Sequence, residues 1–346
     1  MFKRGGIFVF GVKIAFALAT IFISTVANTA NPAERNLRVS YSAPATAFLP
    51  LWAAKEAGIF ERNNLSVDLL YVGSSPIALA ALLSDELDVL AGGGTAAPTA
   101  YLQGFRDLAL FATLDHRFAF KIFTVPAIVD VAGLRGKRFG VTRFGGSLDF
   151  ASRYFLKTSG LDPQKDVQLV QIGNTADILA ALVNGTVDAG SLTFPYNFAA
   201  TKLGFRQLAD LSQSGARYAT AAFLSKRSFL TAQHARMQPF VKALVEAIHY
   251  VKTNPEQAVK MLQRYTRMND REILKLAYDE YAQNVWPRLP GIEADDIKMI
   301  IEHLAQTNPK AREIQPAALV YNDLIDNVAR SGIAERPTNS YGHTPT

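Results

Sequence analysis

Four short segments carry side chains able to hold a small charged molecule. Ser42 and Thr46 flank Ala43-Pro44-Ala45 and supply two hydroxyls. Gly92-Gly93-Gly94-Thr95-Ala96 offers bare backbone N–H groups beside a hydroxyl, which suits a carboxylate or other oxyanion at a helix N-terminus; a tight turn needing glycine dihedrals is the alternative. Arg143-Phe144-Gly145-Gly146-Ser147 combines a cation, flexible backbone and a hydroxyl where a helix dipole is positive. Leu192-Thr193-Phe194-Pro195-Tyr196 adds two aromatic rings. The candidate ligand-binding residues are therefore Ser42, Thr46, Gly94, Thr95, Arg143, Gly146, Ser147, Phe194 and Tyr196. Together they imply a small-molecule ligand with an acidic group and an apolar or ring body.

Catalytic chemistry finds less support. The glycine-rich loops lack the Gly-Lys-Ser/Thr ending of a nucleotide phosphate loop, and no Gly-x-Gly-x-x-Gly opens a helix. Gly145-Gly146-Ser147 is not a nucleophile elbow, which places glycines two positions either side of its serine. The chain has no cysteine, which removes disulfides, thiolate metal sites and a cysteine nucleophile. His116, His234, His249, His303 and His343 are dispersed, with no metal-ligand pair on one helix. No catalytic or metal residue is assigned and no cofactor is expected. Asp115 with His116 is the one acid/base pair that leaves an enzyme reading open.

The elements that position the loops follow from an internal repeat. Offset by one hundred residues, Gly73 matches Gly173, Leu79–Leu82 matches Leu179–Leu182, Asp88 matches Asp188, and Gly104-Phe105-Arg106 matches Gly204-Phe205-Arg206. With Ala100/Ala200 and Leu108/Leu208 that makes eleven identities over 73–108 without a gap, where ordinary composition gives about two or three. Each copy reads as strand, helix, strand, helix, strand. The first runs Leu37–Ser42, Phe48–Ala57, Val67–Val72, Ile77–Leu83 and Leu87–Leu90; the second runs Arg138–Val141, Leu148–Thr158, Val167–Ile172, Ala176–Val183 and Val187–Leu192. Alternation of this kind implies parallel sheets with right-handed crossovers, hence two α/β lobes. Two apolar stretches, Phe118–Pro126 and Ala216–Leu224, can carry the chain across and back as a two-crossing hinge around a ligand. A helical C-terminal region follows, with a stripe of Phe240, Leu244, Ile248 and Val251, helix starts at Asn254-Pro255 and Asp270, and further helices near 294–305 and 317–329.

The chain opens with Lys3 and Arg4, an apolar run from Ile7 to Val26 broken by Lys13, and small residues through Ala27 and Ala30. This predicts a secretory signal peptide, cleaved after Ala27 or Ala30, with an uncleaved anchor as the alternative. Loss of Lys3, Arg4 and Lys13 halves the formal net charge of +6, and no basic stripe interleaved with aromatics points to nucleic acid. The expected organisation is a leader at 1–27, a first lobe at 35–118, a hinge crossing at 119–133, and a second lobe at 134–215. A return crossing at 216–226, a helical part at 227–332 packing on the first lobe, and a flexible tail at 333–346 complete it.

The segments Phe48–Phe60, Ala80–Leu82 through Asp88, Leu134–Val141 and Ala180–Ala189, in this order, resemble the periplasmic substrate-binding proteins of nitrate-, sulfonate- and taurine-type ABC importers and the related thiamine-pyrimidine-precursor proteins. The resemblance runs from about Leu37 to Lys260. It implies a type II periplasmic-binding-protein fold and a periplasmic monomer that traps a small ligand between its lobes. It further implies delivery to an inner-membrane permease with its ATPase, no catalysis and no nucleic-acid partner. The cleft loops map to Ser42–Thr46, Gly94–Ala96, Arg143–Ser147 and Phe194–Tyr196. An enzyme of the same fold acting on a bound small acid or pyrimidine precursor is the alternative; the branch that makes the thiamine pyrimidine uses a cysteine-rich motif, which this chain lacks.

Overall fold

The computed structural model describes residues 35–332; the leader expected at 1–27 and the tail expected at 333–346 lie outside the described residues. In chain order the elements are β1 (Leu37–Tyr41), α1 (Leu49–Glu56), α2 (Ile59–Arg62), β2 (Val67–Tyr71), α3 (Ser75–Leu83), β3 (Val89–Gly92), α4 (Ala96–Leu102) and β4 (Leu108–Thr113). There follow β5 (Lys121–Thr124), β6 (Arg138–Val141), α5 (Ser147–Thr158), β7 (Gln168–Gln171), α6 (Thr175–Val183), β8 (Ala189–Leu192), α7 (Tyr196–Lys202) and β9 (Arg206–Asp210). The chain ends with β10 (Ala222–Lys226), α8 (Arg227–Ala232), α9 (His234–Thr253), α10 (Pro255–Thr266), α11 (Arg271–Asn284), α12 (Asp295–Leu304) and α13 (Asp323–Arg330).

These strands make two five-stranded sheets, ordered β2-β1-β3-β10-β4 and β7-β6-β8-β5-β9. The sheets are mixed rather than wholly parallel. β2-β1-β3 and β7-β6-β8 pair in parallel, whereas β10 and β5 pair antiparallel to both their neighbours. The cause is connectivity: β5 enters the second sheet directly from β4 of the first, and β10 returns to the first directly from β9. Each sheet thus receives one strand from a crossing, without a helical crossover to restore parallel direction.

The repeat persists down to individual hydrogen bonds. Asp88 Oδ2 accepts the Arg38 backbone N–H at 2.8 Å, and Asp188 Oδ2 accepts that of Arg138 at 2.9 Å. Each guanidinium then pairs with its aspartate and donates onward to a carbonyl, that of Asp85 in the first lobe and Gly185 in the second. The copies differ in burial: the Asp88 side chain is 4% exposed, that of Asp188 23%. Arg38→Ala therefore removes a charge-assisted pair from a buried carboxylate and is expected to cost about 3 kcal/mol, read as a lower urea midpoint. Arg138→Ala is expected to lower that midpoint much less, since water screens the second pair.

The helical C-terminal region packs chiefly on the first sheet, where Phe240, Leu244, Ile248 and Val251 are buried as their spacing requires. Asp270 caps α11 by accepting the Ile273 N–H. Asn254 does not cap α10: its amide donates back to the Tyr250 carbonyl and closes α9. The single helix expected at 317–329 is a 3-10 turn at Pro316–Leu319 followed by α13. Between them the Tyr321 N–H donates to the Leu110 carbonyl at 2.8 Å, so the edge of β4 holds this segment extended.

Candidate functional site

The carboxyl ends of the parallel strands in both lobes face one cavity of about 60 Å³. The first lobe contributes Ser42, after β1, and Ser74-Ser75, where β2 runs into α3. The second contributes Thr142, Gly146 and Ser147 between β6 and α5, Asn174-Thr175 at the start of α6, and Thr193 after β8. Phe120 and Thr220, one from each crossing between the sheets, form the floor, and Tyr281 of α11 closes one side. A space of this size accepts a small molecule and excludes a macromolecule.

Its chemistry is that of hydroxyls and helix N-termini. None of the lining residues is Asp, Glu, His, Lys or Arg. The N-cap residues of α3 (Ser74) and α5 (Gly146) make no side-chain cap bond, so helices from opposite lobes point uncapped N-termini at the cavity. α6, by contrast, is closed by a complete capping box between Asn174 and Asp177. Ser74 Oγ and Thr193 Oγ1 are buried without a hydrogen-bond partner. Buried hydroxyls are normally paired, and leaving one unmade costs about 1–3 kcal/mol. Uncapped dipoles and unpaired hydroxyls converging on one space are suited to an oxyanion.

The lobes touch around this cavity. The Thr46 N–H donates to the Phe194 carbonyl at 3.1 Å, and Thr95 Oγ1 donates to the Gly145 carbonyl at 3.4 Å. Gly93 lies against Ser147 so closely that a Cβ there would overlap the serine hydroxyl and approach Tyr218 Oη to 3.0 Å. The glycine loop thus serves approach of the lobes. Its N–H groups are already committed, Gly93 to Ser75 Oγ at 3.0 Å and Gly94 to the Ala219 carbonyl at 2.8 Å.

Of the residues expected to bind ligand, Ser42, Gly146 and Ser147 line the cavity. Thr46, Thr95 and Phe194 lie outside the lining, in the contacts between lobes just described, and Gly94 is bonded to the return crossing; Phe194 also packs on Tyr281, ring centroids 5.4 Å apart. Tyr196 faces a wider groove with Tyr41, Tyr71 and Tyr265, its hydroxyl donating to the Thr266 carbonyl. Arg143 is exposed and outside the lining. From there Arg143→Ala is expected to slow association of an anion by removing a steering charge and to weaken its Kd less than tenfold; stopped-flow binding against ionic strength measures this, and a larger loss places the guanidinium on the ligand.

Ser74, Ser75, Thr175, Thr193, Thr220 and Tyr281 were not among the expected residues. The repeat carried a signal for two of them: Ser75 and Thr175 are one hundred residues apart, open α3 and α6, and accept the N–H of Gly93 and Thr193 respectively. Asp115 and His116 do not line the cavity. His116 Nδ1 lies 2.9 Å from Asp296 Oδ2 and 3.1 Å from an Arg217 nitrogen, in an ion cluster at the crossings. No group of three metal-ligating side chains occurs among the described residues.

Two lobes, each with a mixed sheet, joined by two crossings that floor a shared cavity, define the periplasmic-binding-protein fold. Residues 30–265 match the model of the NMT1-like family, and the chain belongs to that family. Over 212 residues it is 27% identical to YtlA, a candidate binding protein of Bacillus subtilis (strain 168); the match spans 60% of this chain and 63% of that relative's length. A solved Bordetella bronchiseptica RB50 structure aligns with a TM-score of 0.77 at 21% identity, covering 86% of this chain and 97% of that one. The alkanesulfonate-binding protein SsuA of Xanthomonas axonopodis pv. citri, solved with MOPS bound, aligns with a TM-score of 0.67 at 23% identity, covering 84% and 96%. No helix among the described residues is long and apolar enough to cross a membrane.

Proposed function

We propose that this protein is the extracytoplasmic solute-binding component of an ABC importer. It captures a small organic or oxyanionic molecule between its lobes in the periplasm, works as a monomer without a cofactor, and hands the ligand to a membrane permease driven by an ATPase. The observation that carries this reading is the pair of buried, unpartnered hydroxyls, Ser74 and Thr193, beside two uncapped helix N-termini from opposite lobes. Groups of this kind can take a ligand oxygen as their partner, and a ligand touching both lobes favours their closure. The family membership and the sulfonate held by a protein of the same fold support it.

The cavity recognises an anion without a formal countercharge. Hydroxyls of Ser42, Ser74, Ser147 and Thr193 and the N-termini of α3 and α5 share the charge among several donors. Thermal-shift screening of alkanesulfonates, nitrate, bicarbonate and aromatic acids tests the reading. A true ligand at a hundredfold excess over Kd stabilises the fold by about 2.7 kcal/mol and is recovered unchanged. Chemical conversion of the stabilising compound favours the enzyme alternative, and absence of stabilisation by any of them counts against anion capture.

A further inference from the structure

Behind the cavity floor lies a carboxyl group to which ligand capture, as described, gives no role. Asp115 sits in the first crossing between the sheets and is fully buried. Its Oδ1 accepts the Arg117 N–H at 3.3 Å, and its Oδ2 has no hydrogen-bond partner. Thr220, on the return crossing, lies beside this carboxyl without closing a hydrogen bond to it, and also lines the cavity. The Thr220 hydroxyl donates its proton to the Arg117 carbonyl at 3.1 Å, and while it does so its oxygen is free to accept one. A fully buried carboxyl with one oxygen unpartnered suits the neutral acid, which has a proton to give to such an acceptor. Burial acts in the same direction and pushes Asp115 up to about 7.

The surroundings do not supply a dedicated countercharge. His116 and Thr220 oppose the effect of burial without cancelling it. Tyr218 and Tyr281, buried beside Asp115, are phenols whose ionisation burial also disfavours. Arg117 pairs with Glu280, and Arg217 with Asp296 and Glu293.

We propose that Asp115 is a proton-linked positioning residue: as the neutral acid its carboxyl O–H donates to Thr220 Oγ1, and where the free carboxyl is ionised, above its midpoint, entry of an anion into the cavity is accompanied by uptake of one proton from solvent onto Asp115. When Asp115 ionises, the Thr220 hydroxyl proton turns to the carboxylate, and a negative charge stands directly behind the cavity floor. An anion and that charge oppose each other in a site shielded from water. This inference rests on the anionic ligand proposed above.

Carbon-13 NMR of the full chain labelled at aspartate carboxyls tests it, with the Asp115 resonance assigned by its loss in Asp115→Asn. The free protein is expected to show an Asp115 midpoint near neutrality, moving upward when ethanesulfonate saturates the cavity. Ethanesulfonate affinity is expected to fall about tenfold per pH unit above that midpoint. Asp115→Asn, whose amide still donates to Thr220, keeps the acid-side affinity within about threefold and abolishes the slope. An Asp115 midpoint in the ordinary range around 4, or an unchanged slope in Asp115→Asn, overturns the inference. Failure of ethanesulfonate to bind at any pH counts against the anion-binding reading, while the free-protein titration still decides whether Asp115 is the neutral acid.

Discussion

Replacing Ser74 with Ala and Thr193 with Val together is expected to weaken ligand binding about a hundredfold or more while leaving the unliganded fold about as stable as before. Each hydroxyl oxygen is buried and has no partner in the protein. A hydrogen bond to a charged group is worth about 1.5–3 kcal/mol, at least tenfold in affinity for each hydroxyl lost. In the free protein the same hydroxyls line a polar cavity with room for water, so their removal costs the fold little. Calorimetric titration together with thermal unfolding reads both effects. Lost stability with binding intact would mean that the hydroxyls serve packing instead.

Gly93→Ala is expected to weaken binding at least tenfold by a different route. The added Cβ would overlap the Ser147 hydroxyl, stand 3.1 Å from Ser147 Cβ and 3.0 Å from Tyr218 Oη. Rotating the serine relieves the first clash and leaves the other two tighter than ordinary contact. Gly93 has no positive φ that alanine would strain, and its N–H bond to Ser75 Oγ survives. The cost therefore falls on the approach of the lobes and not on either lobe alone. Faster ligand release in stopped-flow experiments, with an unchanged unfolding midpoint for the free protein, is the expected pattern. An unchanged release rate contradicts the view that this contact belongs to the ligand-holding state.

The architecture was largely legible because a duplicated unit writes itself into the sequence twice. Arg38/Asp88 and Arg138/Asp188 sit one hundred residues apart and form the same bonds in both lobes. The mixed strand directions were not legible, since Lys121–Thr124 and Ala222–Lys226 read equally as linker or as strand until their sheet partners are known. Within the site, the loops after β1 and β6 could be picked out by serine and glycine near a helix start. Ser74 and Thr193 could not, because what marks them is burial without a partner, a property of the folded molecule. Tyr281 comes from α11, far along the chain, and no local pattern announces that it closes the cavity. Arg143 misled for the converse reason. A cation near a helix N-terminus is the conspicuous feature of its loop, yet the chain directs Gly146 and Ser147 inward and leaves the arginine exposed.

The cavity between the lobes is expected to hold a small oxyanion-bearing molecule and to release it unchanged. Native mass spectrometry of the full chain as purified reads this out. The expected result is one small molecule per chain, released intact and carrying an acidic group, and absent from the Ser74→Ala/Thr193→Val variant. A ligand-free spectrum that no added oxyanion alters, or equal retention by that variant, contradicts it.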